Sequence, residues 1–397
     1  MKLTLSYKSI NYYYYVMLIV YLLAIFIPGL VRLGVVASLI ISFFIVEYFI
    51  RNKLSVGRGF DILILSYVLL NFVSLIWFFL SGLPISVYIQ EFSNSILPVF
   101  FYFFAKNKDE NNLDFYRNTL MALVLFFVIG FVFFFLQPYN YRYFLSTIDG
   151  VGTNPISTSE FYRSILGITA TGSLGAIGVL ISFSKIIDTE GHKGKISFII
   201  CLIAVILTFR RSALFVTLAA IIALHYLAYF KFNLLKKRYL ILEITLLTGT
   251  IIFLLKKNPE FLPDLGDRLK MIFDAFGERS KSWSDGLKHG NLIIGSGLGV
   301  FSHKAVPYSD KFIPDGNYVR MLAEIGVLGI FIFISIIIST IIKGIKSLSE
   351  YYLEVGIIIA ICLQALGSDI FSFQIVIPIF WYSIGRIHQN TLKEKAI

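Results

Sequence analysis

Long apolar runs follow one another through most of this 397-residue chain, and they constrain its fold more than any other feature. A membrane-spanning helix requires about 20 consecutive, mostly apolar residues. About twelve such runs occur, at residues 13–30, 33–50, 61–80, 89–105, 118–137, 164–184, 195–209, 212–230, 239–255, 318–342, 353–370 and 372–386. Only 15% of the residues are charged, whereas soluble domains contain about 25%. We therefore predict an all-α integral membrane protein with about 12 transmembrane helices, in which residues 1–397 form a single polytopic membrane domain.

The distribution of Lys and Arg predicts the orientation of these helices. With the amino terminus inside, more than half of the 35 basic residues fall in segments on that side, whereas the short loops near residues 81–88 and 368–372 contain none. Short loops rich in Lys and Arg stay in the cytoplasm. We therefore expect a multi-pass protein of the cytoplasmic membrane with both termini cytoplasmic. The same distribution explains the net charge of +11, so we expect membrane lipids and no nucleic acid as partners.

Two polar segments are predicted on the outer side of the membrane. One is a loop at residues 138–163, and the other is a large loop at residues 256–317, between helices 9 and 10. Within the large loop, residues 263–276 show apolar side chains at helical spacing, which predicts an amphipathic helix lying on the membrane or over a cavity. Its acidic and basic residues nearly balance. An anion site at this loop must therefore depend on the placement of particular arginines.

Arg210 and Arg211 are the clearest candidates for such an anion site. They lie between two apolar runs, on the predicted outer side. Two adjacent guanidinium groups keep their charge and offer paired donors, which suits a pyrophosphate, and the next helix would add free backbone N–H groups. The alternative is that both side chains extend to lipid headgroups. Charged residues within membrane segments favour the functional interpretation.

Other charged residues near the outer loops have two interpretations each. Arg142 and Arg163 flank the first loop, where each is either a substrate contact or an interfacial anchor. Arg320 lies one turn into the tenth helix, and Glu324 follows four residues later on the same face. That spacing fits a structural ion pair as well as a catalytic role. Asp369, between the last two helices, fits a helix cap better than a catalyst.

The sequence offers little support for a metal or a nucleotide cofactor. Gly295-Ser-Gly-Leu-Gly299 lacks the Lys-Ser/Thr ending and the strand–helix context of phosphate loops, so a flexible turn is the better interpretation. His289 and His303 stand alone in the sequence and fit polar loop residues better than ligands. No paired-His motif, Asp-x-Asp pair or Cys cluster is present. We expect no cofactor and no metal.

Several motifs taken together resemble the O-antigen polymerase and O-antigen ligase superfamily of membrane glycosyltransferases. They are a many-helix bundle, the sequence Arg210-Arg-Ser-Ala-Leu214 at a mid-chain helix entry, and a large outer loop before the late helices. That loop carries Arg279, Trp283 and Gly295-Ser-Gly-Leu-Gly-Val-Phe301, followed by Asp315-Gly-Asn-Tyr-Val-Arg-Met-Leu-Ala-Glu-Ile-Gly-Val-Leu-Gly329. Arg279 and Gly290 have a spacing similar to a motif of the polymerases.

The resemblance implies transfer of a growing glycan from undecaprenyl pyrophosphate to a sugar hydroxyl of the next lipid-linked repeat unit. It implies a bacterial cytoplasmic (inner) membrane with the active site facing the periplasm, and a chain-length-regulating membrane protein as a candidate partner. Arginines can stabilise a pyrophosphate leaving group without a metal. For this role the candidates are Arg210, Arg211, Arg279, Arg142, Arg163 and Arg320. The acceptor hydroxyl needs a base, for which Asp315 is the first candidate and Glu324 the second.

Three alternatives remain open at this point. Ligases of the superfamily, which transfer glycan to lipid A core, typically carry a His-Asn pair where this chain has Asp315-Gly-Asn317, and this departure favours a polymerase. A lipid-linked oligosaccharide flippase also has about twelve helices, but transporters are commonly built from internal repeats, which the chain lacks. A non-catalytic membrane scaffold would not need buried arginines.

Overall fold

A computed structural model describes most of the helical runs of the chain. The described residues are 9–26, 33–51, 57, 59–106, 113–136, 138–143, 168–187, 191–208, 213, 216–217, 220–222, 277 and 280–389. Every regular element within these ranges is a helix. The predicted all-α class is confirmed for this part of the chain.

We number twelve α-helices of the described ranges in chain order, and residues 139–143 and 280–288 are helical as well. The numbered helices are α1 Tyr13–Phe26, α2 Leu33–Arg51, α3 Phe60–Val73, α4 Leu75–Leu80, α5 Ile85–Ser95, α6 Phe100–Lys106, α7 Asp114–Leu136, α8 Ile168–Ile187, α9 Gly191–Leu207, α10 Asn317–Lys346, α11 Leu348–Gln364 and α12 Ile377–Ile387. Short 3-10 helices occupy Ser9–Tyr12, Leu97–Val99 and Ile370–Ser372.

Three helical stretches in the described part are long and apolar enough to cross a membrane. They are Phe60–Leu80, which joins α3 to α4, Asp114–Leu136 and Asn317–Lys346. Shorter apolar helices cover Ile10–Phe26, Val36–Glu47, Ala170–Ile186 and Gly194–Leu207. The eighth predicted span, at 212–230, lies largely outside the described residues. The ninth, at 239–255, lies wholly outside them. The count of twelve therefore stays a prediction.

The fourth predicted span, residues 89–105, is not one continuous helix. It is divided into α5, the 3-10 turn Leu97–Val99 and α6. Pro98 has no backbone N–H to donate and lies in this turn, so a regular helix cannot run through it. The interruption matters for the site because α5 carries the buried Glu91.

Glycines allow two pairs of helices to approach closely. A Cβ atom at Gly175 of α8 would lie 2.5 Å from Val205 of α9, and one at Gly178 would lie 2.6 Å from the Cys201 sulfur. A Cβ atom at Gly385 of α12 would lie 2.3 Å from the carbonyl oxygen of Tyr102 in α6. Small residues at such contacts are typical of helix packing within membranes.

Buried charged side chains form two groups at opposite ends of the bundle. At one end Lys106 pairs with Asp61, and the Arg386 Nε atom lies 3.2 Å from Glu354. His388, two residues after Arg386, stacks on Phe60 beside Asp61. The second group surrounds Arg320, near the first residue of α10. We predict that the first group faces the cytoplasm.

Candidate functional site

The candidate site lies where α10 is interrupted. Gly326 has φ 72° and ψ −179°, which lies outside the helical region, so the first nine residues of α10 form a separate segment. Interrupting a helix frees backbone groups that need other partners. Here the carbonyl oxygens of Ala323 and Glu324 accept hydrogen bonds, each 2.9 Å long, from the N–H groups of Ser296 and Gly297. The large loop therefore supplies the backbone partners that the interrupted helix lacks.

The glycine turn at residues 295–299 makes this contact sterically feasible. Gly295 and Gly297 have φ values of +83° and +105°, which L-residues rarely adopt. A Cβ atom would lie 2.3 Å from the carbonyl oxygen of Glu324 at the first position and 2.5 Å from the Phe78 Cα atom at the second. The segment is a turn, as predicted, but it is packed against two helix backbones. Its glycines are required for close approach.

Arg320 is the centre of a buried ionic network, which we call the Arg320 network. Its two terminal nitrogens each lie 3.0 Å from a carboxylate, Nη1 from Asp369 and Nη2 from Glu91. Nη2 also donates to the Ser372 hydroxyl, which in turn donates to Glu91. The Arg320 side chain is 4% exposed. One guanidinium group therefore joins α5, α10 and the turn after α11.

Glu324 and Lys304 complete this network. The Glu324 Oε2 atom lies 3.8 Å from the Arg320 Nε atom, and its Oε1 atom accepts a hydrogen bond from the Phe301 N–H group. The Lys304 ammonium group lies 2.8 Å from Glu91. Three buried carboxylates thus face one buried guanidinium and one partly exposed ammonium group. Acidic groups outnumber cations, so these residues by themselves do not form an anion site.

A small cavity with a mostly apolar lining adjoins the network. Its polar lining comes from Tyr67, Asn71, Ser95, Asn317, Arg320 and Glu324. Its volume open to water-molecule centres is about 20 Å³, which is room for about one water molecule or one hydroxyl group. Four buried polar atoms in this region lack a hydrogen-bond partner: Asn71 Oδ1, Asn317 Nδ2, Arg320 Nε and Asp369 Oδ1. The cavity can accept a hydroxyl-sized polar group but not a sugar ring or a pyrophosphate.

Asp315 lies at the junction between the large loop and α10. It has φ 47°, the one positive φ among the described residues other than glycine. Trp283 holds its neighbours, because the indole N–H donates to the Pro314 carbonyl oxygen over 2.7 Å and the ring packs against Gly316. Asn317, which follows, accepts a hydrogen bond from the Phe371 N–H group. Trp283 and the Asp315-Gly-Asn317 motif are therefore in direct contact.

His303 lies beside a carboxylate, although its isolated place in the sequence predicted an ordinary polar loop residue. Its Nε2 atom lies 3.8 Å from Asp369, and the side chain is 63% exposed. Asp369 occupies the N-cap position of the 3-10 helix Ile370–Ser372, but its side chain forms no capping bond. Asp369 therefore lies at a cap position, as predicted, but its carboxylate does not act as the cap. Its carboxylate instead pairs with Arg320 and lies beside His303.

The predicted site residues fall into three groups. Asp315, Arg320 and Glu324 lie at the junction of loop and bundle. Arg142 is half-buried in a helical turn beyond α7, a helix that packs on α1, α8 and α9. The other four predicted arginines, Arg163, Arg210, Arg211 and Arg279, lie outside the described residues, as does the predicted amphipathic helix at residues 263–276.

The sequence did not indicate several members of the network. Glu91 is the third residue of the run at 89–105, which predicts an ordinary span. The available signal is a carboxylate within a predicted membrane span, which is expensive there and therefore functional by default. Nothing in the sequence connects Glu91 to Arg320, which is 229 positions away.

Comparison with known proteins adds little to this description. No protein-family model matches the chain. A stretch of 67 residues is 36% identical to one component of the glutamyl-tRNA(Gln) amidotransferase of Thermoplasma acidophilum. The match covers 16% of this chain and 16% of that protein, which is too little to show a shared family or fold. The described part of the chain is thus defined as an all-helical protein with three helices able to cross a membrane and a buried ionic network.

Proposed function

We propose that the chain is an O-antigen polymerase, a glycosyltransferase of the bacterial cytoplasmic membrane. In this proposal it transfers a growing glycan from undecaprenyl pyrophosphate to a sugar hydroxyl of the next lipid-linked repeat unit. The reaction takes place at the periplasmic face and requires no metal. Both substrates carry lipid tails, so a helical bundle that they can enter sideways is a suitable scaffold.

One observation carries the proposal. The loop motif of Trp283 and Asp315 lies directly before the first segment of α10, and this segment carries Arg320, which pairs with Glu91 of α5, and ends at the interruption. Buried charges are expensive within a membrane protein and are usually retained for function. A network that only anchored helices to lipid headgroups would face outward, whereas Arg320, Glu324 and Glu91 are all almost fully buried.

The chemistry needs a base and a cationic leaving-group site. The acceptor hydroxyl oxygen forms a bond to the anomeric carbon, and the bond from that carbon to the pyrophosphate oxygen breaks. The leaving pyrophosphate takes the electron pair, and the hydroxyl proton passes to a base. Undecaprenyl pyrophosphate is a stable anion, so its departure needs positive charge rather than a proton donor.

Three side chains are candidates for the base. Asp315 is half-buried at the loop junction, and Glu324 lines the hydroxyl-sized cavity. His303 is exposed and adjoins Asp369, an arrangement in which a carboxylate can orient an imidazole. We keep Asp315 as the first candidate because its side chain is partly exposed and Trp283 contacts the residues on both sides of it.

The pyrophosphate contacts are assigned to arginines beyond the Arg320 network. Arg320 already pairs with Glu91 and Asp369, so its proposed role is to position carboxylates. Arg210, Arg211 and Arg279 remain the proposed pyrophosphate ligands, and Arg142 and Arg163 the proposed contacts from the first outer loop. Because the Arg320 network is rich in carboxylates, a pyrophosphate anion can bind beside it only if these arginines lie close to the pyrophosphate.

Two observations favour the alternative functions, a ligase and a flippase. His303 beside Asp369 supplies an imidazole that the Asp315-Gly-Asn317 motif lacks, which favours the ligase alternative. The interruption at Gly326 resembles the discontinuous helices of transporters, which favours a flippase. The residues on either side of Gly326 are bound to the large loop by backbone hydrogen bonds, however, and this favours a fixed element over a moving one.

The surface polysaccharide of a strain that lacks the protein distinguishes these functions. A polymerase defect removes the ladder of long chains on a gel and leaves glycan one repeat unit long. A ligase defect leaves polymer that is not attached to lipid A core. A flippase defect leaves repeat units on the inner face of the membrane. A strain that keeps its full ladder would contradict the proposal.

Complementation then tests the base. Asp315→Asn should abolish the ladder, while Asp310→Asn, an exposed carboxylate on the same loop, should restore it. Glu324→Gln is compared in the same way with Glu350→Gln, an exposed glutamate of α11. If Asp315→Asn and Glu324→Gln both restore the full ladder, neither is the base and His303 takes their place.

A further inference from the structure

An exposed apolar surface lies beside the interruption in α10. It is formed by Leu292, Ile293 and Ile294 of the large loop and by Val327 and Leu328 of α10, and we call it the apolar ledge. The Ile293 side chain is 78% exposed, and Val327 and Leu328 are each more than half exposed. Such a cluster of branched apolar residues on a loop marks a contact with another apolar phase.

The two halves of the apolar ledge form one continuous surface. The Val327 N–H group donates to the Leu292 carbonyl oxygen over 2.9 Å. A Cβ atom at Gly326 would lie 2.4 Å from the Ile293 carbonyl oxygen, so the two backbones touch. The surface continues along α10 through the exposed Phe331. The apolar ledge is therefore continuous with the exposed apolar face of α10, and α10 is long enough to cross a membrane.

Most backbone N–H groups of the loop segment are already satisfied from within. The Asn291 side-chain oxygen accepts from the N–H groups of Ile293 and Ile294, and its carbonyl oxygen accepts from Gly295. The Asn291 N–H group donates to the Ser296 hydroxyl. Each unsatisfied backbone group costs several kcal/mol in hydrocarbon, so pairing lowers the cost of placing an irregular segment in a membrane. These four hydrogen bonds lower that cost for this turn.

We propose that the apolar ledge lies within the lipid bilayer and contacts the acyl chains of membrane lipids. The part of the large loop at residues 291–295 is then a membrane-immersed turn, although its place between polar segments predicts an aqueous loop. The apolar ledge holds the interruption of α10, and with it the Arg320 network, at the depth where the lipid chains begin. This inference does not depend on the proposed enzymatic function.

A nitroxide spin label at Ile293→Cys tests the inference in the full-length protein, reconstituted into phosphatidylethanolamine–phosphatidylglycerol vesicles. Collisions with oxygen report the hydrocarbon phase, and collisions with a water-soluble nickel chelate report the aqueous phase. Phe331→Cys is the lipid-exposed control and Asp310→Cys the water-exposed control, and all three positions are exposed, so the fold should tolerate the label. The parent chain is measured alongside, because it contains the buried Cys201 and the half-buried Cys362.

The expected result is an oxygen-to-nickel collision ratio at position 293 that matches position 331 and exceeds position 310 several-fold. A ratio at position 293 equal to that at position 310 would overturn the inference. A label at position 293 that neither reagent reaches would show that protein covers the apolar ledge. If adding lipid restores access, the cover is a second copy of the chain. If access stays blocked, the cover is another part of the same chain. Either of these results also overturns the inference.

Discussion

Replacing Arg320 with methionine tests the Arg320 network most severely. Methionine keeps much of the side-chain length but removes both hydrogen-bonded nitrogens, so Asp369 loses its ion-pair partner at 3.0 Å. Glu91 loses one partner but keeps Lys304 at 2.8 Å. Removing one member of a buried ion pair typically costs about 3–5 kcal/mol, because the other charge stays buried without compensation. We expect a loss of stability in this range.

The loss is measurable as a lower thermal midpoint of the purified protein in detergent, followed by fluorescence-detected size exclusion. With an unfolding entropy of about 2.1 cal/mol/K per residue over 397 residues, the expected decrease is about 4–6 °C. Asp369→Asn in the same chain should recover part of it, because it removes the uncompensated charge. Lys288→Met breaks an exposed pair with Asp285 and should leave the midpoint within about one degree.

An Arg320→Met protein with an unchanged midpoint would refute this reasoning. It would mean that the buried carboxylates are neutral or hydrated without the guanidinium group. A decrease that Asp369→Asn deepens, rather than relieves, would also refute the reasoning, because it would show that the charge of Asp369 itself stabilises the fold.

Four further substitutions test other parts of the account. Gly297→Ala should prevent normal folding and lower the yield of monodisperse protein, because the added methyl group would lie 2.5 Å from the Phe78 backbone. Trp283→Phe removes one hydrogen bond, worth about 1 kcal/mol, so it should change the thermal midpoint little while shortening the polysaccharide ladder. Arg211→Ala and Arg279→Ala should each lower the transfer rate on the order of 100-fold, by analogy with the loss of one oxyanion donor.

Each of these changes has a matched control. Gly277→Ala should be neutral for folding, because nothing lies within 4 Å of the added methyl group. Trp77→Phe in α4 should leave the ladder unchanged. Lys281→Ala removes a cation near Arg279 in the sequence and should leave the rate unchanged. If a control behaves like its test variant, the corresponding contact has no specific role.

Most helix positions could be predicted from apolarity alone. The run at 118–137 corresponds to α7 at Asp114–Leu136, and the run at 318–342 to α10 at Asn317–Lys346. The interruptions could not be predicted in this way, because average apolarity does not record where a backbone hydrogen bond is lost. Pro98 marks one interruption. Gly326 marks another, and its effect depends on a loop that supplies the missing partners.

The candidate site could be predicted only where its residues are close in sequence. The four-residue spacing of Arg320 and Glu324 placed both on one helix face, and their distance of 3.8 Å agrees with it. Glu91 and Asp369 lie far from Arg320 in the sequence, and tertiary packing alone brings them together. For the same reason the pairing of His303 with Asp369 could not be foreseen.

The purified protein, reconstituted into vesicles with undecaprenyl-pyrophosphate-linked repeat units and no other enzyme, tests the central claim most directly. The account predicts lipid-linked products of two and more units, with one undecaprenyl pyrophosphate released for each new linkage and no loss of product when EDTA is added. Recovery of only the single-unit substrate from folded, monodisperse wild-type preparations would contradict it.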